Sequence, residues 1–159
     1  MKKVKHYMCK DVIYVRPKDS IFRVAKTLAK HDISGAPVVH KKKVLGIVSI
    51  SDIVNFMSLK LASSDIIPHE PQSLSMLLLN MVKIGKDYLD FKDELDRISK
   101  SKIQDIMSMN VVFVDPNANL FEAATMMEKH DVNRLLVINE KGKLVGIVTR
   151  EDMLKALID

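Results

Sequence analysis

A duplication narrows what this chain can fold into more than any other feature. Gly46-Ile47-Val48-Ser49-Ile50-Ser51-Asp52 returns as Gly146-Ile147-Val148-Thr149-Arg150-Glu151-Asp152. Aligning Met8 with Met107 sets an offset of 99 residues, which one extra residue in the turn Asn139 to Lys143 raises to 100. Over residues 8–39 and 44–54, 14 of 43 aligned positions are identical, among them Val15/Val114, Pro17/Pro116, His31-Asp32/His130-Asp131, Gly46/Gly146 and Asp52/Asp152. A repeat of about 50 residues is too small to bury a sheet well alone. Two such repeats are therefore expected to pack face to face with approximate twofold symmetry, which makes two equivalent clefts.

Each copy reads the same way. Val12 to Val15 is a β-branched and aromatic run stopped by Pro17, which predicts a short strand. From Ser20 the apolar positions Ile21, Val24, Ala25 and Leu28 fall three and four apart, predicting an amphipathic helix to about His31 with Asp19 or Ser20 as its N-cap. Strands follow at residues 36–39 and 44–50, joined by Lys41-Lys42-Lys43 as a solvated hairpin turn, and a helix starts near Ser51. After residue 103 the order repeats: strand 111–114, helix from Asn119 to His130, strands 135–138 and 144–149, and a helix from Glu151. This is a mixed α/β (α+β) class built of tandem β-α-β-β-α repeats. The boundaries read as 1–57 and 102–159 for the repeats and 58–101 for an insertion.

Within the insertion, Pro68 and Pro71 break any helix leaving the first repeat. From Ser73, a candidate N-cap, Leu74, Leu77, Met81, Ile84, Tyr88, Phe91, Leu95 and Ile98 are spaced 3, 4, 3, 4, 3, 4, 3. That is a heptad seam on one long helix, interrupted only by the helix-weakening Gly85. Such a seam needs a partner: either the chain's own repeats or, as we expect, its copy in a homodimer.

Composition excludes several classes. The longest apolar run, Met76 to Ile84, is broken by Asn80 and Lys83 and falls well short of the roughly 20 residues that cross a bilayer. The basic N-terminus, Met1 to His6, is followed by no apolar segment with a small-residue cleavage site, so a cytoplasmic protein is expected. One cysteine, Cys9, excludes an intrachain disulfide and a cysteine-cluster metal site, and is expected to be a half-buried thiol beside Met8. A net charge of +5 invites nucleic acid as a partner. The lysines are dispersed among acids and there is no Trp for a stacking platform, so a nucleic-acid-binding or scaffold role is the alternative and not the favoured reading. No Ser/His/Asp or Cys/His set appears, and no paired carboxylates sit at an expected cleft beyond the two closing aspartates, so no enzyme, cofactor or metal is expected. His31 and His130 read as helix C-terminal partners.

The strongest candidate site is the repeated closure. Ser49-x-x-Asp52 and Thr149-x-x-Asp152 each follow Gly-Ile-Val and open a helix. Singly, that spacing is a capping box. Paired at matching places in two repeats, it also sets a carboxylate and a hydroxyl beside a helix N-terminus, where phosphate is favoured.

Both repeats resemble CBS (cystathionine-β-synthase motif) domains, and the chain outside about residues 58–101 is similar to a free-standing CBS pair, or Bateman module. The resemblance rests on Met8/Met107, Pro17/Pro116, the strands Ile33 to Val39 and Val132 to Ile138, and the two Gly-Ile-Val-hydroxyl-x-x-Asp closures. It implies a regulatory module that binds AMP, ADP, ATP or an adenosyl compound such as S-adenosylmethionine in clefts between the repeats and signals to a regulated protein. It further implies that Asp52 and Asp152 hold ribose hydroxyls, that Ser49 and Thr149 lie beside them, and that Ala36 and Leu135 lie near the base. The copies differ: the second carries Arg134 and Arg150 where the first has Gly35 and Ile50. The cleft that uses Arg134 is expected to prefer charged phosphates, and the other to tolerate an uncharged or thioether-type adenosyl ligand or to stay empty.

Overall fold

The computed structural model describes residues 2–62 and 87–159. Six helices, α1 (Val4–Tyr7), α2 (Ile21–Lys30), α3 (Ile50–Ala62), α4 (Asp87–Lys100), α5 (Leu120–Lys129) and α6 (Arg150–Ile158), alternate with five strands among the described residues. The strands are β1 (Gly35–His40), β2 (Lys43–Ser49), β3 (Phe113–Val114), β4 (Arg134–Ile138) and β5 (Leu144–Thr149). Chain contacts divide the protein into two compact units, Met1–Tyr14 with Met109–Asp159, and Val15–Ser108. Each unit thus takes its lead-in segment from the other copy of the duplication.

In the unit Val15–Ser108, β1 and β2 form an antiparallel hairpin with Gly35 opposite Ser49 and His40 opposite Lys43. Val15 joins the outer edge of β1 through bonds to Pro37 O (3.0 Å) and from Val39 N–H (2.8 Å). Ser108 joins the outer edge of β2 by exchanging two bonds with Ile47, at 2.8 and 2.9 Å. The buried stripe of α2, Ile21, Val24 and Leu28, packs on Ala36, Val38 and Val48. Ile103 is fully buried in the same core, although it belongs to the second copy in sequence.

The other unit repeats this plan. β3 pairs in parallel with β4, β4 antiparallel with β5, and Cys9 exchanges two bonds with Ile147 at 2.9 and 3.0 Å. Val4 is buried where Ile103 is in the first unit, and the supporting bonds match: Lys5 N–H to Pro116 O (2.9 Å) against Gln104 N–H to Pro17 O (3.0 Å). The repeated prolines therefore also serve as acceptors for the incoming segment.

The repeated glycines have a steric cause. A Cβ on Gly46 would lie 2.7 Å from the Ser108 carbonyl, and one on Gly146 would meet Met8 Sδ at 2.5 Å and Cys9 O at 3.1 Å. Close approach of the exchanged backbone to β2 needs a residue without a side chain at Gly46, and at Gly146 the flexible Met8 arm and the Cys9 carbonyl crowd the same place on β5.

The helix ends also explain an identity. Ser20 Oγ accepts Arg23 N–H at 3.2 Å, and Asn119 forms a full capping box with Glu122. At the other end Ile33 N–H reaches Leu28 O (3.0 Å) and Asp32 N–H reaches Ala29 O (3.2 Å), and Val132 and Asp131 do the same on α5. These are Schellman closures with aspartate in the left-handed position, φ 50° and 51°, where glycine is the usual choice. The repeated His-Asp pair is the end of a helix.

Several expectations are corrected. The strand expected at 12–15 is reduced to the single bridge at Val15, and that at 111–114 to Phe113–Val114, because each run pairs on one side for only a residue or two. The helix α1 was not expected. Cys9 is exposed, since its backbone pairs with Ile147 while its Sγ turns to the Asp11 carbonyl at 3.6 Å. Of the heptad seam, Leu74, Leu77, Met81 and Ile84 lie outside the described residues, as do Pro68, Pro71, Ser73 and Gly85. Its described end, α4, buries Ile98 within its own unit, packed beside α2 and α3. No described helix is long and apolar enough to cross a membrane.

Candidate functional site

Both closures are strand-to-helix corners of the same build. Ser49 ends β2 and Thr149 ends β5, and the helix begins at the next residue. Asp152 Oδ2 accepts from Thr149 N–H (2.9 Å) and Thr149 Oγ1 (2.9 Å), while Asp152 N–H returns to Thr149 Oγ1 at 3.4 Å. In the first copy Asp52 Oδ2 accepts from Ser49 N–H (2.7 Å) and Ser49 Oγ (2.8 Å), with Asp52 N–H on Ser49 Oγ at 3.2 Å. The capping-box reading is thus correct for both. It leaves a second function open, because the cap consumes one carboxylate oxygen, and a carboxylate has two.

A further bond ties each corner to the neighbouring strand. Arg150 N–H donates to Asn133 O (3.2 Å) and Ile50 N–H to Ser34 O (2.9 Å). These carbonyls were missed from sequence, since nothing local marks a residue that receives a bond from 16 or 17 positions on. Neither they nor the cap use the N–H groups of Glu151 and Ser51, which remain at the helix N-termini with the positive end of the peptide dipoles.

The expected site residues divide into two groups. Arg134 pairs across the ladder with Thr149, as Gly35 does with Ser49. Directly opposed residues in an antiparallel pair have Cβ atoms about 4.5–5.5 Å apart on the same face. The structure therefore brings Arg134, Thr149 and Asp152 together at one corner. Ala36 and Leu135, one residue further along, point to the opposite face and are fully buried in the two cores, so only their backbone groups are available to any ligand. Arg150 is exposed and lines a concavity of about 370 Å³ between α5 and α6, with Ala124, Met127, Glu128 and Met153. Its side chain serves a different wall from Arg134.

The two corners differ more than the sequence comparison of arginines suggests. Lys155 lies 3.1 Å from Glu151 and 3.8 Å from Asp152 Oδ1. The hydrogen bond and charge of Glu151 hold the Lys155 ammonium above its ordinary pKa, so it stays protonated. In the first copy the corresponding residues are Ser51 and Asn55. The second corner therefore carries Arg134 and Lys155 where the first has Gly35 and Asn55, while Arg150 stands on the α5–α6 wall where the first copy has Ile50. The i, i+4 spacing of Glu151 and Lys155 was the signal that could have disclosed this.

Comparison with known proteins agrees with the duplication. The family model for the CBS domain matches residues 4–59 and again residues 103–159. Uncharacterized protein MJ1426 of Methanocaldococcus jannaschii is 35% identical over 156 residues, covering 98% of this chain and 90% of that protein. An inosine-5'-monophosphate dehydrogenase of Korarchaeum cryptofilum is 25% identical over 96% of this chain, which spans only 24% of that enzyme's length. Among solved structures, the CBS domain pair of protein MJ0100 in complex with 5'-methylthioadenosine and S-adenosyl-L-methionine aligns with a TM-score of 0.68 at 24% identity, over 99% of this chain and 96% of that one. CBSX2 of Arabidopsis thaliana, in complex with AMP, aligns with a TM-score of 0.64 at 21% identity, over 99% and 97%.

Proposed function

The chain belongs to the CBS domain family, and from that premise we propose that it is a regulatory module, without catalysis of its own, that senses adenosine nucleotides or S-adenosyl compounds and signals to a partner protein. The observation that carries the reading is the doubled corner, in which Asp52 and Asp152 each spend Oδ2 on the cap and hold Oδ1 beside the helix N-terminus, where in the second copy it lies 3.8 Å from the Lys155 ammonium. A carboxylate oxygen there can accept from a ribose hydroxyl, and the Ser51 and Glu151 N–H groups can donate to a phosphate or sugar oxygen. Ser49 and Thr149 hold the aspartates in place, because their hydroxyl protons are already committed to the carboxylates. In this reading the corner that carries Arg134 and Lys155 takes a phosphorylated nucleotide such as AMP, and the corner with Gly35 and Asn55 takes an uncharged or thioether-type adenosyl group. The two bound structures named above support the ligand class by their own ligands.

Signalling requires the bound ligand to favour one arrangement of the protein over another. The homodimer belongs to the same proposal, with the part of the heptad seam before Ile98 as its contact, since Ile98 is buried within its own unit. The test of ligand class is a thermal-shift and calorimetric titration with AMP, ADP, ATP and S-adenosylmethionine. A ligand at about 100 times its Kd adds about 2.7 kcal/mol of stability. Asp152→Asn keeps an acceptor for the cap while removing the charge, so it is expected to fold normally and to lose AMP affinity. No shift with any of the four compounds would overturn the reading.

A further inference from the structure

The two hairpins of the duplication close differently, and the difference is in strain and charge. In the first copy a two-residue loop, Lys41-Lys42, joins β1 to β2, with φ of 46° and 66° at the two residues. Positive φ at both central positions is the geometry of a type I′ turn, which favours Asn-Gly and penalises residues with a Cβ. The second copy meets the same need with one more residue and no such penalty: Gly142 takes the positive φ of 70°, and Asn139 Oδ1 accepts from Lys141 N–H (3.1 Å) and Lys143 N–H (2.9 Å). The chain thus contains a relaxed solution to this turn and does not use it in the first copy.

Two consecutive strained lysines in a turn are a cost to folding, so their presence points to a use for their charge. His40, Lys41, Lys42 and Lys43 are all exposed, and the parallel register of Val15 with Val38 sets exposed Arg16 level with Val39, beside the tip. The equivalent tip of the other unit, Asn139-Glu140-Lys141-Gly142-Lys143, mixes both signs. A short tip carrying three adjacent cations reaches few phosphates and has no Phe, Tyr or Trp between Val39 and Val44, His40 being the one ring on which a base could stack, which disfavours nucleic acid.

We propose that the Lys41-Lys42-Lys43 hairpin tip is the docking point for an Asp/Glu-rich segment of the regulated protein. The inference rests on the regulatory reading above and names the chemistry of its partner. Complementary charge of this kind sets encounter rate and partner choice, with a strong dependence on salt.

The test compares three purified variants of the full chain by fluorescence anisotropy with a labelled polyglutamate peptide and a labelled single-stranded oligonucleotide, and by thermal melting. Lys41→Asn with Lys42→Gly is expected to raise the Tm by roughly 4 °C through relief of strain and to weaken peptide binding about tenfold. Lys41→Arg with Lys42→Arg keeps charge and strain, and is expected to match the parent in both readouts. Lys141→Asn with Lys143→Asn removes the same charge from the other tip and is expected to leave peptide binding within about twofold. Equal losses from the two tips, an unchanged Tm in the first variant, or tip-dependent binding that is tighter for the oligonucleotide than for the peptide would each overturn the proposal. AMP and S-adenosylmethionine titrations of the first variant should be unchanged, which separates failure of the docking site from failure of the adenosyl site.

Discussion

Gly46→Ala is the substitution through which the exchange of lead-in segments can be measured. The added Cβ falls 2.7 Å from the Ser108 carbonyl oxygen, 2.9 Å from Met107 Sδ and 3.1 Å from Met107 Cγ. An ordinary carbon–oxygen contact is about 3.3 Å or more. The carbonyl must therefore retreat by roughly 0.6 Å, and it is the acceptor for Ile47 N–H in a two-bond bridge at 2.8 and 2.9 Å. Overpacking costs about 1–3 kcal/mol and a weakened bridge about 1 kcal/mol per bond, against about 0.5–1 kcal/mol gained by replacing a strand glycine. The net expectation is a loss of about 2–3 kcal/mol, or roughly 5–10 °C in Tm for a chain of this size. Gly146→Ala is the internal control. Its nearest obstacles are Met8 Sδ and Cγ, a flexible thioether arm, and its backbone neighbour Cys9 O is at 3.1 Å, so the clash relaxes by a side-chain rotation. Its loss should stay near 1 kcal/mol. Urea and thermal melts of the two variants beside the parent decide the matter. Equal stability of parent and Gly46→Ala, or a larger loss in Gly146→Ala, would refute the packing of Ser108 on β2.

Three further expectations follow from the same geometry. Arg134→Ala should weaken AMP binding about 10- to 100-fold, the worth of one charge-assisted hydrogen bond, while S-adenosylmethionine binding stays unchanged; calorimetric affinities that do not separate the two ligands would remove Arg134 from the phosphate. Asp131→Gly should stabilise the protein by about 0.5–1 kcal/mol in urea melts, since glycine suits the φ of 51° that closes α5; a loss of stability would mean that the aspartate side chain has a role of its own. Sedimentation at micromolar concentration should give twice the monomer mass of 18.0 kDa, and a monomer would end the homodimer proposal.

Much of the fold was legible because its signals are local. The period of Ile21, Val24 and Leu28 fixed the buried face of α2, and Ser20 and Asn119 marked helix starts through side chains that reach only three residues ahead. The candidate corner was legible for the same reason: Ser49 with Asp52, and Thr149 with Asp152, are bonded at the spacing in which they are written. The tri-lysine turn was also visible, though not its strain. Less legible were the residues that act through distant partners. The resemblance places Ala36 and Leu135 near the base, and strand alternation sends both side chains into the cores, which leaves their backbone groups to face a ligand. The lead-in strands were overestimated because β-branched composition shows willingness to pair without showing that a partner runs alongside.

By itself, then, the sequence determined that the chain is a duplication, that each copy is a helix laid on a small sheet, and that each ends in a hydroxyl-x-x-aspartate corner. Only the tertiary structure decided which copy's segments share a core. Val4 and Cys9 join β5 and its neighbours, and Ile103 and Ser108 join β2 and its neighbours, through pairings that span as many as 138 residues, as between Cys9 and Ile147. Backbone hydrogen bonds carry no side-chain code, and pairing at that range leaves no period in the chain to read. Its trace in the sequence is steric: Gly46 stands where the incoming Ser108 carbonyl leaves no room for a Cβ, and Gly146 where the incoming Met8 side chain and Cys9 carbonyl crowd one.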